Sequence, residues 1–170
     1  MHPRVGMRTP YLSDAFFQLV EDCADEAQRQ GMLSYLYDED KWPSGYAGGM
    51  VTKQVRYRQK YLCLSPDPAA GGMSIGADTN ATASDNAGQA DALFLGAYAV
   101  ELDEAGFLTG YQRLPESAPP GEGVWFAHLC TCEPNEWYNN QTYVDTLCKE
   151  AIEEFAALTH ERYRQAAGGG

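Results

Sequence analysis

The sequence lacks the features of several specialised protein classes. It has no apolar run near the ~20 residues that cross a membrane, and its first residues contain no apolar core of a secretory signal peptide. Basic residues are scarce, because 12 lysines and arginines face 24 aspartates and glutamates, for a net charge of −12. Phosphate binding needs a basic surface, so we expect no nucleic acid partner, and we expect no membrane partner either.

Cysteine is also used sparingly, and in a pattern unlike a disulfide framework. The five cysteines are odd in number and scattered, which favours reduced thiols and a cytoplasmic location. His128, Cys130 and Cys132 alternate along a candidate strand, so a metal-binding domain stays open as an alternative. Zinc sites usually combine paired short spacings with a fourth ligand, and the apolar surroundings favour buried cysteines without a metal. A cysteine nucleophile beside His128 or His160 is a more distant alternative, since no pattern orders such a pair.

What the sequence does contain is enough apolar material for a folded core. Its 170 residues are 44% hydrophobic and 21% charged, which is ordinary for a globular domain. Ser13 and Gly31 occupy the positions of an N-cap and a helix stop, and apolar residues recur between them at steps of three and four. We therefore predict a helix between Ser13 and Gly31, and by the same periodicity a second helix over residues 149–166. The predicted buried residues are Phe16, Leu19, Val20, Cys23 and Ala27 in the first helix and Ile152, Phe155, Ala156, Thr159 and Tyr163 in the second.

Short apolar runs predict strands on either side of a polar segment. Met32–Tyr37 follows the first helix directly, Thr142–Leu147 precedes the second, and each run ends near an acid. Between them, residues 65–91 are small and polar and predict a linker, Asp103–Gly106 predicts a hairpin turn, and residues 123–133 predict a further strand. In α/β folds, functional groups collect at the carboxyl ends of the strands.

The order helix, strand, β-rich excursion, strand, helix predicts an α/β fold that is part of a barrel or of a doubly wound sheet. In a partial (β/α)8 TIM barrel, residues 1–50 would form the first barrel units with their strand-end acidic loop, residues 51–135 an inserted loop and hairpin region, and residues 136–170 a barrel strand and helix. A complete barrel takes about 250 residues, so we expect this chain to be a fragment whose partner is the remainder of the same polypeptide.

An unusual acidic stretch follows the first predicted strand. Its sequence is "YDEDKWPSGYAGG", with three consecutive acids ahead of a tryptophan and several glycines. In extended backbone, Asp38 and Asp40 point to one side and Glu39 to the other, so at most two of the three acids would meet the same ligand. Sugar hydroxyls bind carboxylates, sugar rings stack on aromatic faces, and glycosidic hydrolysis needs two carboxyl groups. These three acids and Trp42 are therefore candidate substrate-binding residues, against the alternative of a solvated loop with Trp42 in the core.

Two further groups of residues carry the same kind of chemistry. His2 and Arg4 would share one face of an extended segment and suit hydroxyl or carboxylate binding, unless the N-terminus frays. In "EWYNNQTYVD", Trp137 is a candidate for ring stacking, Asn139 for hydroxyl binding, and Asp145 is a further strand-end acid; a polar loop with an aromatic anchor is the alternative. We assign no catalytic role to any of these residues.

Several blocks of the sequence carry a family resemblance. They are "MHPRVG" at the start, "TPYLS" before the first helix, "YDEDKWPSGYAGG" after the strand, and "TYVDTL" leading to "FAALTHERY". Together they resemble the N-terminal part of the catalytic barrel of large bacterial glycoside-hydrolase-like proteins, which include α-L-rhamnosidase-like enzymes. The resemblance implies a (β/α)8 TIM barrel and hydrolysis of a glycosidic bond, with the acidic block forming one wall of the sugar pocket. We expect no cofactor and no metal.

The resemblance covers residues 1–50 and 136–164 and implies that further parts of the acid–base machinery lie outside this chain. We therefore expect the isolated chain to be inactive as a glycosidase. A non-catalytic carbohydrate-binding or interaction module, with Trp42 and Trp137 as platforms, is the alternative from another functional class.

Overall fold

The structure, a computed structural model, describes residues 1–4, 6–70 and 92–168 of the chain. The chain divides into two compact units, the first comprising Met1–Gln59 and Pro134–Gly170 and the second Lys60–Glu133. Most of the segment predicted to be a linker lies outside the described residues. The helices are α1 (Asp14–Arg29), α2 (Lys149–Leu158) and α3 (His160–Ala166), and the strands are β1 (Lys60–Ser65), β2 (Leu93–Leu102), β3 (Leu108–Leu114) and β4 (Val124–Thr131).

The first helix confirms the capping signals of the sequence. The Ser13 hydroxyl accepts a hydrogen bond from the Phe16 amide at 3.2 Å, and Gly31 follows the helix with a φ of +65°. The buried face is rotated slightly from the predicted one. Phe17 is buried, whereas Cys23 is exposed and Leu19 is 51% exposed. The remaining buried residues of the helix are Phe16, Val20 and Ala27.

The predicted C-terminal helix is two helices. Thr159 interrupts it with φ −115° and ψ −81°, and its buried hydroxyl donates to the Phe155 carbonyl at 2.6 Å. A threonine hydroxyl that bonds back to the preceding turn favours such a bend. Phe155 and Tyr163 are buried as predicted, whereas Ile152 is 38% exposed. The Tyr163 ring packs edge-on against Phe17 at 5.2 Å between centroids, so α3 closes over α1.

The core of the first unit is aromatic and lies between the helices and the loops. Aromatic side chains bury large areas and pack edge to face, so few residues suffice to build a core of this size. The tightly buried members are Leu12, Phe16, Phe17, Val20, Tyr46, Ala47, Val51, Tyr57, Val144, Ala151, Phe155 and Tyr163.

The second unit is a four-stranded antiparallel sheet with the order β1-β4-β2-β3. The register pairs Cys63 with His128, Tyr98 with Trp125, and Val100 with Tyr111. The predicted hairpin joins β2 to β3, with Gly106 in the turn at φ +84°. Several large apolar side chains of this sheet are exposed: Leu62, Leu64, Leu93, Leu102, Leu108 and Tyr111.

The prediction of an α/β, partial (β/α)8 TIM barrel is wrong. A barrel is built from parallel strands joined by helices, whereas this fold is α+β with an antiparallel sheet. In the described part of the chain, residues 32–37 belong to no strand, and Tyr37 donates its amide to the Met1 carbonyl. Residues 142–147 form no strand either, and Val144 makes an isolated antiparallel bridge with Arg58. Each apolar run therefore makes only isolated backbone contacts with a segment distant in sequence, and the described strands form no parallel barrel sheet.

No helix among the described residues combines the length and the apolar character needed to cross a membrane.

Candidate functional site

Glu39 is the buried centre of the acidic loop. Its side chain is fully inaccessible, and its carboxylate accepts hydrogen bonds from three backbone amides. Oε2 accepts from Ala47 at 2.7 Å, and Oε1 accepts from Gly48 at 2.8 Å and from Asp40 at 3.0 Å. These amides converge because Ala47 and Gly48 adopt φ of +53° and +62°, which turns consecutive N–H groups to one side. The carboxylate therefore fixes the shape of the loop.

Burial dominates the ionisation of Glu39. Loss of solvent disfavours the charged form and, together with the neighbouring carboxyl of Asp40, raises the pKa of Glu39 to about 8. The three backbone amides stabilise the carboxylate and offset part of this effect. A carboxyl group held in this way has no accessible oxygen to offer a ligand.

Asp38 is half-buried and has both oxygens occupied. The Ser44 hydroxyl donates to Oδ1 at 2.7 Å, and His160 Nε2 lies 2.6 Å from Oδ2. Burial acts to raise the pKa of Asp38, but the hydrogen bonds of Ser44 and His160 outweigh it, and the pKa lies below its ordinary value. The residue therefore joins the loop to the start of α3.

Asp40 faces the opposite end of the loop, towards the second predicted cluster. Asn139 donates its amide to Asp40 Oδ2 at 3.1 Å and approaches the Gly48 carbonyl at 3.4 Å. The Tyr46 hydroxyl lies 3.4 Å from Asp40 Oδ1. Asn139 is exposed and adopts φ of +56°, the left-handed conformation that asparagine tolerates better than most residues. Two of the predicted site residues are thus in direct contact.

Trp42 and Trp137 are joined and exposed. The Trp137 indole N–H donates to the Trp42 carbonyl at 3.0 Å, while 67% of Trp42 and 59% of Trp137 remain accessible. Lys41 adds a second link, since its ammonium group lies 3.4 Å from the Glu136 carbonyl. The prediction of Trp42 as a core residue, which was the alternative, is therefore wrong.

A cleft of about 370 Å³ opens beside these residues. Arg4, Asp40 and Asn139 from the predicted set line it, together with two cations that the sequence reasoning left out, Arg8 and Lys41. Its other lining residues are Gly6, Met7, Thr9, Pro10 and Tyr11. Its volume is within the range of about 300–1,000 Å³ that is typical of small-molecule sites.

Two predicted residues lie elsewhere. His2 stacks on the Tyr37 ring, with centroids 4.1 Å apart, so its ring is used in a local contact away from the cleft. Asp145 lies in the turn before α2, where its carboxylate accepts from the Leu147 amide at 3.1 Å and its amide donates to Tyr57. The predicted pairing of His2 with Arg4, and a strand-end role for Asp145, find no support in these contacts.

Four residues that position the acidic loop were missed from the sequence: Tyr11, Ser44, Tyr46 and His160. The Tyr11 hydroxyl donates to the Asp38 carbonyl at 2.6 Å, and burial, aided by the charge of Glu39, raises its pKa well above the ordinary value. Tyr11 and His160 bond to Asp38 from distant positions in the sequence, so no local pattern marks them. Ser44 and Tyr46 follow the acids that they contact by six residues, so a hydroxyl group shortly after an acidic run was the available signal.

The structure also bears on the alternative of a metal centre at Cys130 and Cys132, and does not favour it. Cys130 is buried in β4, and the His128 ring packs against Phe94 at 5.4 Å between centroids. Within residues 1–4, 6–70 and 92–168, no three histidine, cysteine or acidic side chains are grouped so that they could hold a metal ion.

Known proteins give no external guide to this site. A scan against protein-family models, a search of curated proteins and a search of solved structures each found no match.

Proposed function

We propose that the first unit of this protein is a carbohydrate-binding module. The observation that carries the proposal is the pair of exposed tryptophans, Trp42 and Trp137, tied together by the indole hydrogen bond of 3.0 Å. Large aromatic side chains are usually buried, so two exposed tryptophans, one with its indole bonded to the main-chain carbonyl of the other, mark a surface that stacks on a flat apolar partner. The apolar face of a sugar ring is such a partner.

Polar groups beside the tryptophans support the same interpretation. Asn139 is exposed and lies two residues after Trp137. Asp40 is half-buried, and its Oδ2 accepts from the Asn139 side-chain amide at 3.1 Å. An amide and a carboxylate supply the donors and acceptors that sugar hydroxyls require. The loop that carries Asp40 is held in place, because Glu39 accepts from the backbone amides of Ala47 and Gly48, and Asp38 accepts from the Ser44 hydroxyl. Two hydrogen bonds thus join the loop of Trp42 and Asp40 to the loop of Trp137 and Asn139, and bring the aromatic and polar residues together.

Binding is favoured over hydrolysis by the state of the acids. Hydrolysis of a glycosidic bond needs two carboxyl groups that reach the substrate. Glu39 is fully buried with both oxygens bonded to backbone amides, and the oxygens of Asp38 are engaged by Ser44 and His160. Participation in a larger glycosidase stays a prediction from the sequence resemblance.

The test is a glycan array followed by calorimetric titration with the oligosaccharides that bind. Trp42→Ala and Trp137→Ala should each weaken binding at least tenfold, because each removes a stacking surface worth over 1 kcal/mol in comparable sites (roughly 1–3 kcal/mol). Tyr35→Ala is the matched control, since Tyr35 is an aromatic residue of the same unit with 76% exposure. It should leave the affinity unchanged.

Two results would overturn the proposal. One is a folded wild-type protein that binds no glycan on the array. The other is glycan binding that both tryptophan variants retain in full. Circular dichroism of each variant would confirm that the helices are intact.

A further inference from the structure

The cleft beside Asp40 collects positive charge in an otherwise acidic protein. Only 12 lysines and arginines are present against 24 acids, yet Arg4, Arg8 and Lys41 all line this one cleft. Of the lining residues, Asp40 supplies the negative charge. The cleft is therefore cationic, while the chain as a whole carries −12.

These cations are not used in ion pairs among the described residues. The ion pairs seen in the described part of the first unit include those of Arg29 with Glu26, Lys149 with Glu153, Arg162 with Asp14 and Arg164 with Glu161, and none of them uses a cation of the cleft. Lys41 donates to the Glu136 carbonyl at 3.4 Å, an acceptor without a formal charge. Asp40 is already engaged by Asn139 and Tyr46. The positive charge of the cleft is therefore free to meet an anion from solution.

The geometry of the residues indicates which anion. A guanidinium group presents a planar pair of N–H donors that matches the two oxygens of a carboxylate, and an ammonium group adds a point charge. Asn139 lines the same cleft and directly follows Tyr138 and Trp137 in the chain, while Lys41 directly precedes Trp42. The cationic cleft and the tryptophan pair are thus neighbours within the first unit. A ligand that spans both has an apolar ring face and a carboxylate.

We propose that the cleft binds the carboxylate of a hexuronic acid unit, so that the carbohydrate recognised by the first unit is an acidic one. The inference rests on the proposed function for the stacking partner and adds the class of sugar. Arg4 and Arg8 hold the carboxylate, Lys41 offsets the negative charge of Asp40, and Asp40 with Asn139 meets the hydroxyls. The overall charge repels polyanions at long range, so recognition depends on contacts within a Debye length of about 8 Å in physiological salt.

The experiment compares acidic oligosaccharides with their carboxyl-reduced forms. Oligogalacturonate and alginate oligosaccharides are titrated into the wild-type protein beside their reduced counterparts and beside sulfated oligosaccharides. We expect at least tenfold tighter binding of the carboxylate forms. The double variant Arg4→Gln/Arg8→Gln should lose at least tenfold in affinity for them. The double variant Arg29→Gln/Arg164→Gln changes the net charge equally at paired surface sites and should stay within twofold of the wild type.

A second readout makes the two proposals separable. The Nε–Hε resonances of Arg4 and Arg8, assigned through the single variants, should shift with galacturonate and stay in place with galactose. If those resonances move but no oligosaccharide binds through the tryptophans, the carboxylate site stands and the carbohydrate-binding proposal falls. If carboxyl-reduced or sulfated oligosaccharides bind as well as the carboxylate forms, or the Arg4/Arg8 variant binds like the wild type, the acidic-sugar inference is overturned while carbohydrate binding stands. Absence of both signals overturns both.

Discussion

The two units of the molecule obtain their order from different sources. In the second unit, backbone ladders of β1 to β4 supply the hydrogen bonds, and many large side chains stay exposed. In the first unit, the loop from Asp38 to Gly49 has no ladder, and buried side chains bind the backbone instead. Glu39 alone accepts from three amides. Backbone hydrogen bonds between strands form whichever side chains are present, whereas the conformation of this loop depends on particular side chains such as Glu39.

This difference explains where function is expected. A surface built on side chain–backbone bonds can present unusual geometry, such as exposed tryptophans beside a cationic cleft, because its backbone need not follow a regular strand. The cost is sensitivity to single substitutions. The sheet has the opposite properties.

Removal of the Glu39 side chain should have the largest effect. Glu39→Ala leaves the amides of Asp40, Ala47 and Gly48 without their acceptor in a buried site, and each unsatisfied buried donor costs about 1–3 kcal/mol. We expect the first unit to lose about 3 kcal/mol or more of its free energy of unfolding. Urea unfolding followed by circular dichroism at 222 nm measures it, since the described helices all lie in this unit.

The matched carboxylate of the sheet is Glu101 on β2, which is exposed. Glu101→Ala should change the stability of the second unit by less than about 0.5 kcal/mol, measured by amide hydrogen exchange of β2 and β4. Equal losses for the two alanine variants would contradict the comparison.

The second effect in size is the dependence of stability on pH. The pKa of Glu39 is raised by burial from 4.5 to about 8, so the folded state holds more protons than the unfolded state between these values. The free energy of unfolding of the first unit should therefore fall as the pH rises through this window. We expect the free energy of unfolding to decline by about 2–3 kcal/mol between about pH 5.5 and pH 8.5. One titrating group can change this free energy by at most about 1.4 kcal/mol per pH unit, and the expected slope lies below that limit.

Asp38 acts in the opposite direction at lower pH. Its pKa lies below 3.8, so its stabilising contribution is present above that value and is lost as the pH falls through the folded pKa. Urea midpoints across the range measure both trends, and Glu39→Gln is the control that should flatten the decline above pH 5.5. A stability that rises from pH 5.5 to 8.5, or a slope that the glutamine variant retains, would refute the assignment.

The smallest effect comes from a pair of glycines with similar backbone and different surroundings. Gly49, in the acidic loop, has φ +95°, and an added Cβ would lie 2.7 Å from Gln141 Cγ. Gly106, in the β2–β3 turn, has φ +84° and open space around the added atom. Gly106→Ala should therefore cost only the backbone strain of about 1–2 kcal/mol, and Gly49→Ala should cost about 1 kcal/mol more. Hydrogen exchange within each unit measures both, and an equal cost would show that Gln141 moves aside freely.

Local signals in the sequence predicted several elements correctly. The cap at Ser13, the stop at Gly31 and the turn at Gly106 each act within a few residues, so they can be interpreted without knowledge of the fold. Alternation along the extended chain separated Glu39 from its neighbours, and Glu39 is the buried acid of the three, but Asp38 and Asp40 do not share a side, since Asp38 bonds to Ser44 and Asp40 to Asn139.

Long-range relations were not available from the sequence. The contacts that build the site join residues 95 positions apart for Trp42 with Trp137, 99 for Asp40 with Asn139 and 122 for Asp38 with His160. The parallel barrel was wrong for the same reason, because an apolar run specifies a strand only when a partner strand lies beside it. Residues 32–37 show the consequence, since their apolar side chains include Leu33 at 82% exposure.

The exposed leucines of the sheet have a practical consequence for anyone who handles this protein. Leu62, Leu64 and Leu108 each show more than half of their surface, and Tyr111 shows 71%. Dyes such as ANS become fluorescent when they bind apolar surfaces of this kind. We therefore expect ANS fluorescence to increase on the native protein before any heating. A dye-based melting curve would start from a bright baseline and understate the transition. The exposed apolar side chains should also allow purification by hydrophobic interaction chromatography, because a phenyl resin at high salt should retain the folded chain.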